Sequence, residues 1–134
     1  MPTDPEFLMA AGAPPPPPTA AYSHAVRAGG FVFVTGQLGV DPATNRLVAG
    51  GIEAQTHQVM RNLVTVLAGA GASLNRVVMV RIYLVDFGDY PAMNAVYASY
   101  FAAGRYPART TVGVTGLALG AAVEIDLVVQ LPAD

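Results

Sequence analysis

Val123-Glu124-Ile125-Asp126-Leu127-Val128-Val129-Gln130-Leu131 alternates along its length, the pattern of a strand with one buried face. Val123, Ile125, Leu127, Val129 and Leu131 point one way, and Glu124, Asp126, Val128 and Gln130 point the other, as successive side chains of a β-strand do. The first face needs an apolar partner layer. Two amphipathic helices upstream supply it. Ile52, Val59, Met60, Leu63, Val66 and Leu67 share one helical face that ends near Gly69 to Gly71, and Met93, Val96, Tyr97, Tyr100 and Phe101 form a second stripe. Asp89 is placed to cap that second helix and Pro91 to sit in its first turn. Further strands are expected at Tyr22 to Arg27, Phe31 to Thr35, Val77 to Val85 and Arg109 to Val114, the first two joined through Gly29-Gly30. Asp41 to Asn45 is a turn cluster. The order β-β-α-β-α-β-β predicts an α+β sheet with two helices on one face. Glu124 then stands on the other face.

Composition says what meets that second face. Of 134 residues, 53% are hydrophobic and 12% charged, with a mean hydropathy of +0.44. The longest apolar run, Val77 to Val85, is interrupted by Arg81 and falls well short of the ~20 residues of a spanning helix. With no signal-peptide pattern at the start, a cytoplasmic protein without a membrane partner is expected. A domain this small buries only about two-thirds of its unfolded surface alone. Large exposed apolar patches mark interfaces, so the excess predicts an obligate homo-oligomer. Residues 1–19, with the run Pro14 to Pro18, read as a flexible proline-rich tail ahead of a domain at 20–134.

Absences narrow the chemistry. The chain has no cysteine, and all seven of its basic residues are arginine, so thiolate nucleophiles, thiolate metal sites and Schiff-base lysines are excluded. His24 and His57 lie 33 positions apart and read as structural, and no metal site is expected. Net charge is −2 with no arginine cluster, which argues against a nucleic-acid partner. Arg109, after Tyr106-Pro107-Ala108, heads a strand and offers a fork for a carboxylate. Arg109 and Glu124 pairing across neighbouring strands is the plain structural alternative. Thr35-Gly36-Gln37 ends a strand where glycine allows a ligand close to the backbone, unless it is a simple bulge. Tyr22 closes a pocket or merely packs; Asn94 lies on the second helix as a site residue or an exposed amide.

Together these pieces resemble one family. Ala21-Tyr22-Ser23-His24-Ala25-Val26 is similar to the "PYSQAV" opening of the RidA (YjgF-type) family, and Thr35-Gly36-Gln37 to its "SGQ". Met93 to Phe101 resembles its "VNxxYxxFF" helix. Tyr106-Pro107-Ala108-Arg109-Thr110-Thr111-Val112, followed by Val123-Glu124-Ile125, resembles its "PARSCV…VEIE" signature. The likeness runs from about Ala21 to Leu131. Thr110-Thr111 replace the family's Ser-Cys, His24 its glutamine, and Ala20-Ala21 its Gly-Pro.

The resemblance implies a chorismate-mutase-like fold, a homotrimer with a central barrel, clefts between subunits and no cofactor. It implies a 2-iminobutanoate/2-iminopropanoate-type deaminase, a hydrolase that takes enamines and imines of small carboxylates to 2-oxo acids and ammonia. Arg109 then holds the substrate carboxylate and Glu124 positions water, with Tyr22, Thr35, Gly36, Asn94 and Thr111 at substrate-binding positions. Two rivals are a non-catalytic trimer that binds small carboxylates, and another enzyme on this fold such as a chorismate mutase. The latter wants several cationic groups, and Arg109 is the one clearly placed.

Overall fold

Alternation in the last strand carries into the computed structural model, which describes residues 4–133. Met1 to Thr3, at the head of the expected tail, and Asp134, at the end of the expected domain, lie outside the described residues. The elements are β1 (Glu6–Leu8), β2 (Ala25–Ala28), β3 (Phe31–Leu38), β4 (Val40–Asp41), β5 (Arg46–Leu47), α1 (Gly51–Gly69), β6 (Val77–Leu84), α2 (Tyr90–Ala98), β7 (Ala108–Gly113) and β8 (Val123–Gln130). Six strands form one sheet in the order β1-β2-β3-β8-β6-β7, and β4-β5 is a separate hairpin. β6 and β7 run parallel, joined through α2; every other pair in the large sheet is antiparallel. The architecture is α+β, as expected.

One face of the sheet is closed by both helices. Val32, Val34, Val80, Ile82, Leu84, Val123, Ile125, Leu127 and Val129 pack against Val59, Met60, Leu63, Val66 and Leu67 of α1 and Met93 and Tyr97 of α2. These are the periodic apolar positions of the sequence, and their burial is the main stabilising term of the domain. The opposite face carries a continuous apolar row. Phe7 is registered on Val26, Val26 on Phe33, Phe33 on Val128 and Val128 on Met79. Directly opposed residues share a face, and none of these five is buried, with Phe33 half exposed at 50%.

Three expectations need correction. Asp89 is itself helical and makes no side-chain cap; Asp86 accepts from the Gly88 N–H and starts the preceding short turn instead. Tyr100 and Phe101 lie past the end of α2, in a hydrogen-bonded turn. Most important, the described part of the segment expected as a flexible tail is built into the domain. β1 pairs with β2, and Ala13 joins the core. The reason is His24, which is 2% exposed. Its Nδ1 accepts from the Ala10 N–H at 2.8 Å, and its Nε2–H donates to the Pro14 carbonyl at 2.8 Å. Both ring nitrogens are thereby satisfied by the incoming chain, as a buried imidazole requires.

Removing residues 1–14 takes away β1, Ala13 and both partners of His24. Each hydrogen bond contributes about 0.5–1.5 kcal/mol net, and the core is also uncovered. A fall in melting temperature of roughly 5–10 °C is expected for a domain of this size. A scanning-calorimetry trace unchanged by the truncation would make the segment a tail after all.

Candidate active site

The sheet presents two chemically opposite cavities, each a candidate part of a site. The first surrounds Arg109 near the start of β7, in a cavity of about 490 Å³ lined by Tyr90, Asn94, Tyr97, Ala98, Tyr106 and Pro107. Helix α2 builds it, because positions 90, 94 and 97 fall on one helical face. Arg109 donates from Nη1 to Asn94 Oδ1 at 2.7 Å and from Nη2 to the Tyr90 hydroxyl. Its guanidinium carbon lies 5.4 Å from the Tyr90 ring centroid and 5.0 Å from that of Tyr97, within cation–π range. Every one of these partners is neutral. Among the described residues the one ion pair is Arg81 with Asp126, so Arg109 has no carboxylate. Two of its five N–H donors are used, which leaves a fork for an anion.

Two buried hydroxyls belong to this region. Tyr97 Oη and Thr111 Oγ1 are enclosed without a hydrogen-bond partner. Desolvation pushes the Tyr97 phenol up to about 12, against the opposing pull of the Arg109 charge. It is a hydroxyl donor across the physiological range. Thr111 follows Arg109 by two positions on β7 and so lies on the same face.

The second candidate part surrounds Glu124 near the start of β8. Its cavity, of about 540 Å³, includes Tyr22, Thr35, Gly36 and Gln37 among its walls. Here β3 bulges. Between the pairs Val34–Leu127 and Gln37–Ile125, Thr35 and Gly36 together oppose the single residue Asp126. The glycine is dictated by the glutamate: a Cβ at position 36 would collide with Glu124 Oε2. The two readings of Thr35-Gly36-Gln37, a bulge and a close approach, are therefore one feature. Helix α1 fixes both strands. Asn62 donates to the carbonyls of Leu38 and Val40 at 3.1 and 2.9 Å, and Gln55 Oε1 accepts from the Ala122 N–H at 2.9 Å. Burial, helped by the Asp126 charge, raises the Glu124 carboxyl above its ordinary range. The Tyr22 phenol is raised by burial and then by Glu124.

Arg109 and Glu124 do not meet within one chain. β6 lies between their strands. Arg109 is registered on Val80 and Val80 on Leu127, both in the helix-covered core, whereas Glu124 is registered on Tyr83 on the open face. The structural alternative, pairing across neighbouring strands, is excluded by this geometry. Asn94 gathers with Arg109, and Tyr22, Thr35 and Gly36 gather with Glu124. Tyr90 and Tyr97 were missed as site residues. The spacing Tyr90, Asn94, Tyr97 was the available signal, and the aromatic at 97 was absorbed into the apolar stripe.

Known proteins fit this arrangement. Residues 13–131 match the protein-family model described as endoribonuclease L-PSP. A RutC family protein of Pyrococcus horikoshii is 44% identical over 107 residues, which cover 80% of this chain and 84% of that protein. A protein of Dermatophagoides farinae named 2-iminobutanoate/2-iminopropanoate deaminase is 40% identical over 82% of this chain and 85% of its own length. Among solved structures, RidA from the Antarctic bacterium Psychrobacter superimposes with a TM-score of 0.87 at 36% identity, covering 94% of this chain and 99% of that one. E. coli TdcF with bound serine gives 0.87 at 25% identity, covering 95% and 99%. The matches span nearly the whole sheet and both helices, and the chain belongs to the RidA (YjgF-type) family.

Proposed function

We propose that this chain is a 2-iminobutanoate/2-iminopropanoate-type deaminase, which hydrolyses imines and enamines of small carboxylates to 2-oxo acids and ammonia. The observation that carries the reading is Arg109, a guanidinium held in place by neutral partners alone and open to a carboxylate. The deaminase name borne by the Dermatophagoides relative supports the same reaction class. Because Arg109 and Glu124 stand on opposite faces, one copy's arginine half meets a second copy's glutamate half. The uncovered apolar row supplies the adhesion for a homotrimer.

The reaction asks little more than placement. Arg109 forks the substrate carboxylate, with the Thr111 backbone amide beside it, and this orients the imine carbon toward Glu124. Glu124 accepts a proton from water as the oxygen attacks that carbon, giving a tetrahedral carbinolamine. The protonated glutamate returns the proton to nitrogen. From a protonated imine, the C–N bond then breaks as the glutamate takes the hydroxyl proton, so that the C=O of the 2-oxo acid forms and ammonia leaves. The glutamate passes that proton to the departing ammonia. An enamine enters after protonation at its terminal carbon. A carboxyl raised by burial suits this exchange, since it is a better proton acceptor than an exposed glutamate and can still return the proton.

Light scattering should give a particle of about 41 kDa, three times the 13.8 kDa chain. 2-Aminoacrylate released from serine by a dehydratase should decay faster with the protein present. Arg109→Ala should abolish binding and turnover, while Glu124→Gln should bind 2-oxo acids yet lose roughly 10²–10⁴-fold in rate. Co-expressing these two inactive variants should restore about a quarter of wild-type activity, the random chance that an intact arginine half faces an intact glutamate half. No rescue would place both residues in one subunit's site. No acceleration by wild type, with 2-oxo acids still bound, would favour a carboxylate sensor.

A pH test checks the glutamate independently. The wild-type rate should fall on the acid side with a limb above the ordinary glutamate value of about 4.3. Because the folded carboxyl titrates high, the proton stabilises the fold, and that contribution disappears as pH rises through the folded value. Glu124→Gln should therefore melt higher than wild type at neutral pH, with the advantage gone near about pH 3.

A further inference from the structure

The proline run and His24 were left without a function by the reading above, and both border the Glu124 cavity. Pro14, Pro15, Pro17, Val40 and Leu119 stand around that cavity together with Asn45, beside the polar group of Tyr22, Thr35, Gln37 and Glu124. Proline has no backbone N–H, so this wall offers ring methylenes and no donor along the prolines. It is fixed rather than loose: His24 holds the Pro14 carbonyl on one ring nitrogen and the Ala10 N–H on the other, and Ala13 is buried between them in sequence. Leu119 stands at the other side in the left-handed region, at φ 61° and ψ 13°, and is 67% exposed. A leucine there carries backbone strain that glycine would relieve. Strain at a cavity rim points to a use for the side chain.

We infer that this cavity is a side-chain subsite that selects substrates with an apolar, branched-aliphatic side chain, its wall being the proline segment pinned by His24 and closed by Leu119. The inference rests on the deaminase reading for the identity of the substrate. At about 540 Å³ the cavity falls in the ~300–1,000 Å³ range of pockets for molecules much larger than 2-aminoacrylate. An acidic or amide side chain lying along the prolines and Leu119 would lose its water there without a donor from that wall. Each buried methylene adds about fourfold in affinity.

The test measures both turnover and binding. Imines are made from leucine, alanine and glutamate by an amino-acid oxidase, and 4-methyl-2-oxopentanoate, pyruvate and 2-oxoglutarate are titrated by calorimetry. Wild type should prefer the leucine-derived imine over the other two by at least about tenfold in kcat/KM, with the preference expressed mainly in KM, and the 2-oxo acids should follow the same order. Leu119→Gly and His24→Ala should each shrink the leucine-to-alanine ratio several-fold. Leu119→Gly is expected to fold as well as wild type because it relieves the strained backbone, so it decides the matter if His24→Ala is unstable. Leu119→Arg should shift the preference toward the glutamate-derived imine. Selective binding without turnover would keep the subsite and sink the deaminase reading. Turnover of all three imines at similar kcat/KM would overturn the subsite and leave the deaminase reading standing. Failure to bind any 2-oxo acid would overturn the subsite as well.

Discussion

A six-stranded sheet has two faces, and this chain supplies two helices that both lie on one of them. The covered face accounts for nearly all of the core, from Val32 on β3 to Val129 on β8. The other face keeps Phe7, Val26, Phe33, Val128 and Met79 in a lateral row with water as their neighbour. Fully burying one exposed side chain contributes about 1.5–3 kcal/mol. With Phe7 and Phe33 exposed and the other three partly covered, leaving the row open forgoes several kcal/mol, a sizeable share of the ~5–15 kcal/mol of a small domain. The oily composition follows from this constraint. So does the division of polar groups, because a residue on β7 or β8 must face either the helices or the open side. Arg109 goes to the first and Glu124 to the second.

Local deviations from regular structure are concentrated where the carboxylate stands. The bulge at Thr35-Gly36 breaks the β3–β8 ladder opposite Asp126, and the missing Cβ at Gly36 makes the room that Glu124 Oε2 occupies. α1 compensates from behind, with Asn62 and Gln55 taking up backbone groups that the irregular strand ends leave free. Glutamate placed in such a niche is destabilised as an anion by its own burial and by Asp126. A carboxylate that holds its proton more tightly here than it would in water makes the fold less stable when it is charged. Ala at position 36 would meet a flexible carboxylate rather than backbone, so its effect belongs to the position of Glu124 more than to the fold.

What could be read in the sequence was whatever repeats. Period two in Val123 to Leu131 and period 3.6 in Ile52 to Leu67 both survive in the structure because many residues vote together. Arg109, Glu124, Gly36 and Asn94 also stood out in the sequence through their motifs, and the structure sets Asn94 beside Arg109 and Gly36 beside Glu124. The insertion of β6 between β7 and β8 was not, since strand order depends on crossovers that no local pattern encodes. Neither was β1. Three residues give no period, and the prolines that follow look like a linker until His24 is seen to grip them. A buried histidine with two backbone partners is a tertiary fact, and its own sequence neighbours hold no trace of it.

The Arg109 cavity shows how a cation is kept available. A carboxylate beside Arg109 would satisfy it and close the site, because a paired guanidinium gains little from a second anion. Instead an amide, a hydroxyl and two aromatic faces fix the guanidinium plane while leaving its full charge. Aromatic faces offset part of the cost of partial desolvation, and they do so without neutralising the group. A rigid, uncompensated fork favours a ligand that brings its own planar anion, and the same rigidity lowers the ordering cost of binding it. The electrostatic gain is then largest for a small carboxylate that the cavity also screens from water. Such a fork would grip a ligand by its carboxylate and leave the neighbouring carbon uncovered, and it needs neither lysine nor cysteine to do so.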